Sequence, residues 1–217
     1  MKKGTFNFYS IKTLSLHTGF VAKNLEELFE KIQKVDDPCI FYHFHDSFLR
    51  HHFLSSYFSN DFAVWIKKSL QMDALAEKVS GINTTDFSSV AEIRKKLISV
   101  IKPYVDDTKT NKHNSRLLKN KYFHFLSSKS FIFPTKLFAV DLTSFIETIK
   151  NISVNSIFFH FFIAHLRMAR KTNDFSFWID TELELKELAE KIKRLNPQMY
   201  SLEELRNRII KYCKEYQ

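Results

Sequence analysis

The chain is written twice, and that repetition limits its folds more than any other feature. Ile40-Phe41-Tyr42-His43-Phe44 returns as Ile157-Phe158-Phe159-His160-Phe161, 117 positions later. Asn60-Asp61-Phe62-Ala63-Val64-Trp65-Ile66 returns as Asn173-Asp174-Phe175-Ser176-Phe177-Trp178-Ile179, 113 positions later. Leu75-Ala76-Glu77-Lys78 matches Leu188-Ala189-Glu190-Lys191, and Leu49-Arg50 matches Leu166-Arg167. Lys12 and Thr18 match Lys129 and Thr135. With a four-residue deletion between Arg167 and Asn173, about 30% of roughly 95 aligned positions are identical. Such a long period means an internal duplication. The 217 residues then hold two units of about 100 residues each. The expected boundaries are 1–105 for repeat one, 106–122 for a basic polar linker and 123–217 for repeat two.

One repeat reads as follows. Phe6, Phe8, Leu14 and Leu16 alternate with polar residues, as do Phe123, Phe125, Phe131 and Phe133. That is the period of half-buried strands. Asn24-Leu25-Glu26-Glu27 opens a helix to about Val35, and Asp141 stands at the same cap position in the second copy. A second helix is expected over about 38–53 and 155–170. Asp61 and Asp174 read as N-caps of a third helix. A short helix follows at Leu75–Val79. Ser89-x-x-Glu92 and Ser201-x-x-Glu204 are capping boxes for a last helix, ending near Tyr104 and Tyr216. The expected fold is α+β and mainly helical. Each repeat has two short strands then four to five helices, and the repeats pack as a pseudo-two-fold dimer.

Composition removes several classes of function. There are three glycines, Gly4, Gly19 and Gly81. A dinucleotide fingerprint, a phosphate loop or a hydrolase nucleophile elbow needs several glycines within a few residues. Lys and Arg number 33 against 24 Asp and Glu, a net charge of +9. The excess is +3 in each of 1–105, 106–122 and 123–217, so it is spread rather than gathered into a nucleic-acid groove. Cys39 and Cys213 are too few for a disulfide framework. No apolar signal core follows the first lysines. The longest apolar run, Ser156–Leu166, falls short of the roughly 20 residues of a membrane span. A cytoplasmic protein with no membrane association is expected.

A duplicate drifts at positions that do not matter, so polar residues present in both copies are the candidates for function. They are His43 with His160, Arg50 with Arg167, Asn60 with Asn173 and Asp61 with Asp174, beside Trp65 and Trp178. On an α-helix His43 and Arg50 share a face, being seven apart. A histidine and an arginine in apolar surroundings must be paired or must line a cavity. In one reading Arg50 and Arg167 fork onto Asp61 and Asp174, the histidines donate to backbone carbonyls, and the network locks the helices. In the other, the two His/Arg pairs converge at an inter-repeat cleft on a small anion, since arginine grips carboxylate or phosphate bidentately. The tryptophans then supply its wall.

Other chemistries find less in the sequence. His43, His45, His51 and His52 cluster, but His43 and His45 are 200° apart on a helix and cannot share a metal. No metal or other cofactor is expected. No serine or cysteine nucleophile recurs beside a histidine, so catalysis is disfavoured. Lys121-Tyr122-Phe123-His124-Phe125 interleaves basic and aromatic residues, a pattern that stacks on bases. It reads more simply as a linker entering a strand. The partner is then a small anionic ligand or a protein, with nucleic acid and membrane disfavoured.

His-Thr-Gly (17–19), Ile-Phe-Tyr-His (40–43), Phe-Leu-Arg-His (48–51) and Asn-Asp-Phe-Ala-x-Trp (60–65) resemble a family known only as a domain of unknown function. The second copy matches through Ile-Phe-Phe-His (157–160) and Asn-Asp-Phe-Ser-x-Trp (173–178), but carries Lys136 in place of the glycine. The resemblance implies the domain and supplies no chemistry. The first functional expectation is therefore a non-catalytic binding or interaction module. A small-anion or enzymatic site at the cleft comes second, and weak nucleic-acid binding third.

Overall fold

The structure, a computed structural model, describes residues 4–46, 58–111, 121–164, 166, 172–196 and 200–217. It is α+β and mainly helical. The sheet consists of two antiparallel strands, β1 (Phe6–Ala22) and β2 (Phe123–Ala139), each 17 residues long. The expectation of two short strands per repeat is thus corrected to one long one. No turn-forming pair separates Phe8 from Leu14, so the strand runs on. The alternation persists, but its burial does not. Leu14, Leu16, Phe131 and Phe133 are exposed.

The chain divides into two compact units whose boundaries cut both strands, after Lys12 and after Lys129. Unit one joins residues up to 12 with those from 130 onward, and unit two takes 13–46 and 58–129. Each unit therefore draws its helices from one half of the sequence and one strand segment from the other half.

In unit two the helices are α1 (Leu25–Lys34), α2 (Asp37–Phe41), α3 (Asp61–Trp65), α4 (Asp73–Ser80) and α5 (Val90–Asn111). α2 and α3 continue as π-helical turns, Tyr42–Asp46 and Ile66–Leu70. Asn24 caps α1 by accepting from the Glu27 amide at 2.8 Å. α5 packs on α1, α2 and α4. Arg94 ties it down by donating to the Ile32 carbonyl at the end of α1 and to Asp37. α5 runs seven residues past Tyr104, and Pro103 sits inside it. The β2 segment brings Phe123 and Phe125 into the core. The Phe123 ring lies 5.1 Å from Phe62 and 5.7 Å from Trp65.

In unit one the helices are α6 (Leu142–Asn151), α7 (Val154–Phe158), α8 (Asp174–Thr181), α9 (Lys186–Lys193) and α10 (Leu202–Lys214). α7 continues as the π-helical turn Phe159–Ile163. Asp141 caps α6, and Ser201 with Glu204 forms the expected box at α10. Arg206 holds α10 to the end of α6 through the Lys150 and Ile152 carbonyls, at 2.9 and 2.7 Å. Here β1 supplies the aromatic plug. Phe6 lies 5.6 Å from Phe175, 5.5 Å from Trp178 and 5.9 Å from Phe145. Burying one phenylalanine is worth about 1.5–3 kcal/mol, so the borrowed strand is a substantial part of each core.

One backbone detail recurs. Gly19 has φ of +79°, and Lys136, at the matching place in β2, has φ of +65°. A left-handed residue costs little for glycine and about 1–2 kcal/mol for a residue with a Cβ. The plan thus keeps the left-handed bend even where the glycine is gone.

Candidate functional site

The residues shared by both copies meet in pairs, one pair in each unit. In unit two His43, 2% exposed, sits in the π-helical turn after α2. Its Nδ1 is 3.0 Å from Asp61 Oδ2, and the Leu126 amide of β2 donates to its Nε2 at 3.0 Å. In unit one His160 is likewise 2% exposed. Its Nδ1 is 2.9 Å from Asp174 Oδ2, and the Tyr9 amide of β1 donates to its Nε2 at 2.9 Å. A backbone N–H can only donate, so Nε2 must be the bare nitrogen and Nδ1 carries the proton toward the aspartate. Burial pushes the His160 pKa below its ordinary value, and the Asp174 carboxylate only partly opposes that. Both ring nitrogens are therefore spent: the histidine clamps a strand to a helix in its neutral form.

The aspartates reach the histidines because they are not the caps. Asn60 Oδ1 accepts from the Ala63 amide at 2.9 Å, and Asn173 Oδ1 accepts from the Ser176 amide at 2.9 Å. The expectation that Asp61 and Asp174 cap their helices is corrected: each occupies the first helical position, one residue further in. Asn60 also donates to the Val79 carbonyl at 3.1 Å, fastening α3 to α4. The tryptophans anchor the start of the borrowed strand. Trp65 Nε1 donates to the Lys121 carbonyl at 2.7 Å and Trp178 Nε1 to the Gly4 carbonyl at 2.8 Å. Thr18 and Thr135 cross the strands to the Phe125 and Phe8 carbonyls at 2.6 and 2.7 Å. Arg50 and Arg167 lie outside the described residues, as do His51, His52 and His165.

Beside the His43–Asp61 pair, unit two has a groove of about 360 Å³, broadly open to solvent. Its floor is apolar, with Val64, Trp65, Phe123 and Leu126. Lys68, Lys121, Tyr122 and His124, all exposed, form its rim. Among the described residues neither Lys68 nor Lys121 pairs with a carboxylate, whereas the neighbouring Lys67 is held by Asp73. Lys68 is not shared between the copies: its counterpart is Thr181, so identity between the repeats does not single it out.

Other chemistries find little to build on. Among the described residues no group of three or more His, Cys, Asp or Glu is placed to hold a metal. Cys39 and Cys213 are buried free thiols. Burial pushes each up to about 12, far from a reactive thiolate at neutral pH. Among the described residues no helix is long and apolar enough to cross a membrane.

With this geometry in view, the relatives define the class. OrfY from Thermoproteus tenax, a solved structure, superposes with a TM-score of 0.83. Its sequence is 28% identical, and the match covers 99% of this chain and 97% of that one. No curated protein matches. The chain belongs to a family of unknown function, DUF5752, whose model matches residues 3–214.

Proposed function

We propose that this DUF5752 member is a non-catalytic binding module, an internally duplicated pseudo-dimer whose ligand site is the unit-two groove beside His43. One observation carries the proposal. The shared histidine, asparagine, aspartate and tryptophan side chains bond within their own units, whereas Lys68 and Lys121 on the groove rim pair with no carboxylate among the described residues. A general base needs a ring nitrogen within reach of a substrate proton, and both histidines have theirs engaged. For the same reason the histidines offer no N–H to an anion held at a cleft. The duplication draws support from the matched contacts: His43 with His160, Asn60 with Asn173, Trp65 with Trp178 and Thr18 with Thr135 each make the same bond. Two buried free thiols suit a reducing compartment, and on that ground we assign the protein to the cytoplasm.

A thermal-shift screen over nucleotides, sugars, phosphorylated metabolites and divalent metals tests the reading, with mass spectrometry on every hit. The expected result is a dose-dependent rise in Tm with the ligand recovered unaltered. Recovery of a chemically converted ligand overturns the non-catalytic assignment.

A further inference from the structure

The groove has a counterpart in unit one, and the contrast between the two says what the groove takes. At the position of Lys68 stands Thr181, at that of Lys121 Gly4, and at that of His124 Asn7. At the position of Ser69 stands Glu182, whose carboxylate accepts from the Gly4 amide at 2.6 Å. A Cβ built on Gly4 would lie 2.6 Å from that carboxylate oxygen, so the space is filled. One copy of the plan therefore carries an open groove with two lysines and a histidine on its rim. The other places a glutamate in the same spot and has lost all three basic groups.

We infer that the unit-two groove binds a phosphate ester carried on a flat ring, the chemistry of a mononucleotide. This inference rests on the binding-module reading above. Lysines are point charges suited to a phosphate that lacks a fixed bidentate partner. The floor of Val64, Trp65, Phe123 and Leu126 receives an apolar body, and the exposed Tyr122 ring offers a stacking face. Lys23 stands over that ring, 5.7 Å from its centre, and adds positive charge. The Asp61 side chain, 28% exposed at the groove wall, is engaged by His43, so the lysine end of the groove is the one that takes the phosphate. Lysine charge at the rim and a flat apolar floor beside a tyrosine match a mononucleotide better than inorganic phosphate or a bare base. A groove of this volume lies in the range of small-molecule sites, roughly 300–1,000 Å³.

The same chemistry is offered by a free nucleotide and by the 5′-phosphorylated end of a nucleic-acid strand. Isothermal titration of the full chain with AMP, adenosine, inorganic phosphate, and a short oligonucleotide with and without a 5′-phosphate separates them. AMP is expected to bind in the range of about 1 mM or tighter, and adenosine and phosphate about tenfold more weakly each. Lys68→Ala and Lys121→Ala are each expected to weaken AMP about five- to tenfold with Tm unchanged. Thr181→Ala and Lys102→Ala, the latter at an exposed position of α5, leave it unaltered. Preference for the 5′-phosphorylated oligonucleotide over AMP assigns the site to a strand end, and the reverse assigns it to the free nucleotide. Measurable and equal binding of both oligonucleotides, AMP binding indifferent to both lysines, or binding of neither AMP nor the 5′-phosphorylated oligonucleotide overturns the inference. In that case a different hit from the thermal-shift screen still stands for the module, whereas a converted ligand overturns the module itself.

Discussion

Removing the His160 side chain is the sharpest perturbation of the fold. In His160→Ala the Tyr9 amide loses its 2.9 Å bond to a ring that is 2% exposed. A buried donor left without a partner costs about 1–3 kcal/mol. Asp174 loses its histidine but keeps some water, with a side chain 16% exposed, so its share is smaller. The imidazole also leaves a void beside Phe6 and Phe175, whose rings lie 4.9 and 5.4 Å away. Together the loss is about 3–4 kcal/mol, and for a chain of this size about 10 °C in Tm. Asp174→Asn is milder, about 1 kcal/mol, because its amide oxygen still accepts from Nδ1–H. The pH profile adds an independent check. His160 has its pKa lowered in the fold, so near neutrality it is unprotonated in both states and its contribution is fully present. As pH falls below about 6.5 the unfolded chain takes up a proton that the folded one refuses, and stability declines by up to about 1.4 kcal/mol per pH unit, down to the lowered pKa. His160→Ala removes that part of the slope. Urea melts by circular dichroism from pH 7.5 to 5 measure both effects. A variant within about 0.5 kcal/mol of the parent, with the slope intact, would refute the clamp.

Three further outcomes follow from other contacts. Lys136→Gly relieves a left-handed residue with a Cβ and should raise stability by about 1 kcal/mol, while Gly19→Ala should lower it by about as much; thermal melts decide. Residues 1–111 alone lack Phe123, Phe125 and the Leu126 amide, so they should show no cooperative monomer melt until a peptide spanning 121–139 is added; a cooperative monomer without the peptide contradicts the borrowed strand. Cys39 and Cys213 should react with a thiol reagent at pH 8 only in urea, and fast labelling of the folded protein would contradict their burial.

The helices were legible because caps and apolar spacing are local. Asn24, Asp141 and the Ser201–Glu204 box open the helices the sequence assigned to them. Asn60 and Asp61 were harder, since two good cap formers stand side by side and only the β-region backbone of Asn60 (φ −152°) settles which one caps. Strand exchange was not legible at all. Phe6 and Phe123 are the same residue in the same pattern, so no sequence feature says which set of helices each one enters. The site was hidden for a different reason. The shared histidines, aspartates, asparagines and tryptophans make bonds that hold each unit, and they led to the clamp. A ligand held by one copy leaves its mark where the copies differ, as at Lys68 against Thr181 and Ser69 against Glu182.

The two tryptophans make the central claim measurable in one experiment. Trp65 belongs to the groove and Trp178 to its closed counterpart, and each indole N–H is tied to a different carbonyl, Lys121 or Gly4. A proton–nitrogen correlation spectrum of the full chain during an AMP titration reports on both at once. The account predicts a saturable shift of the Trp65 indole and of the amides of Tyr122 through Leu126, with the Trp178 indole unmoved. A Trp65 indole that stays still while Trp178 shifts, or neither moving at millimolar AMP, would contradict it.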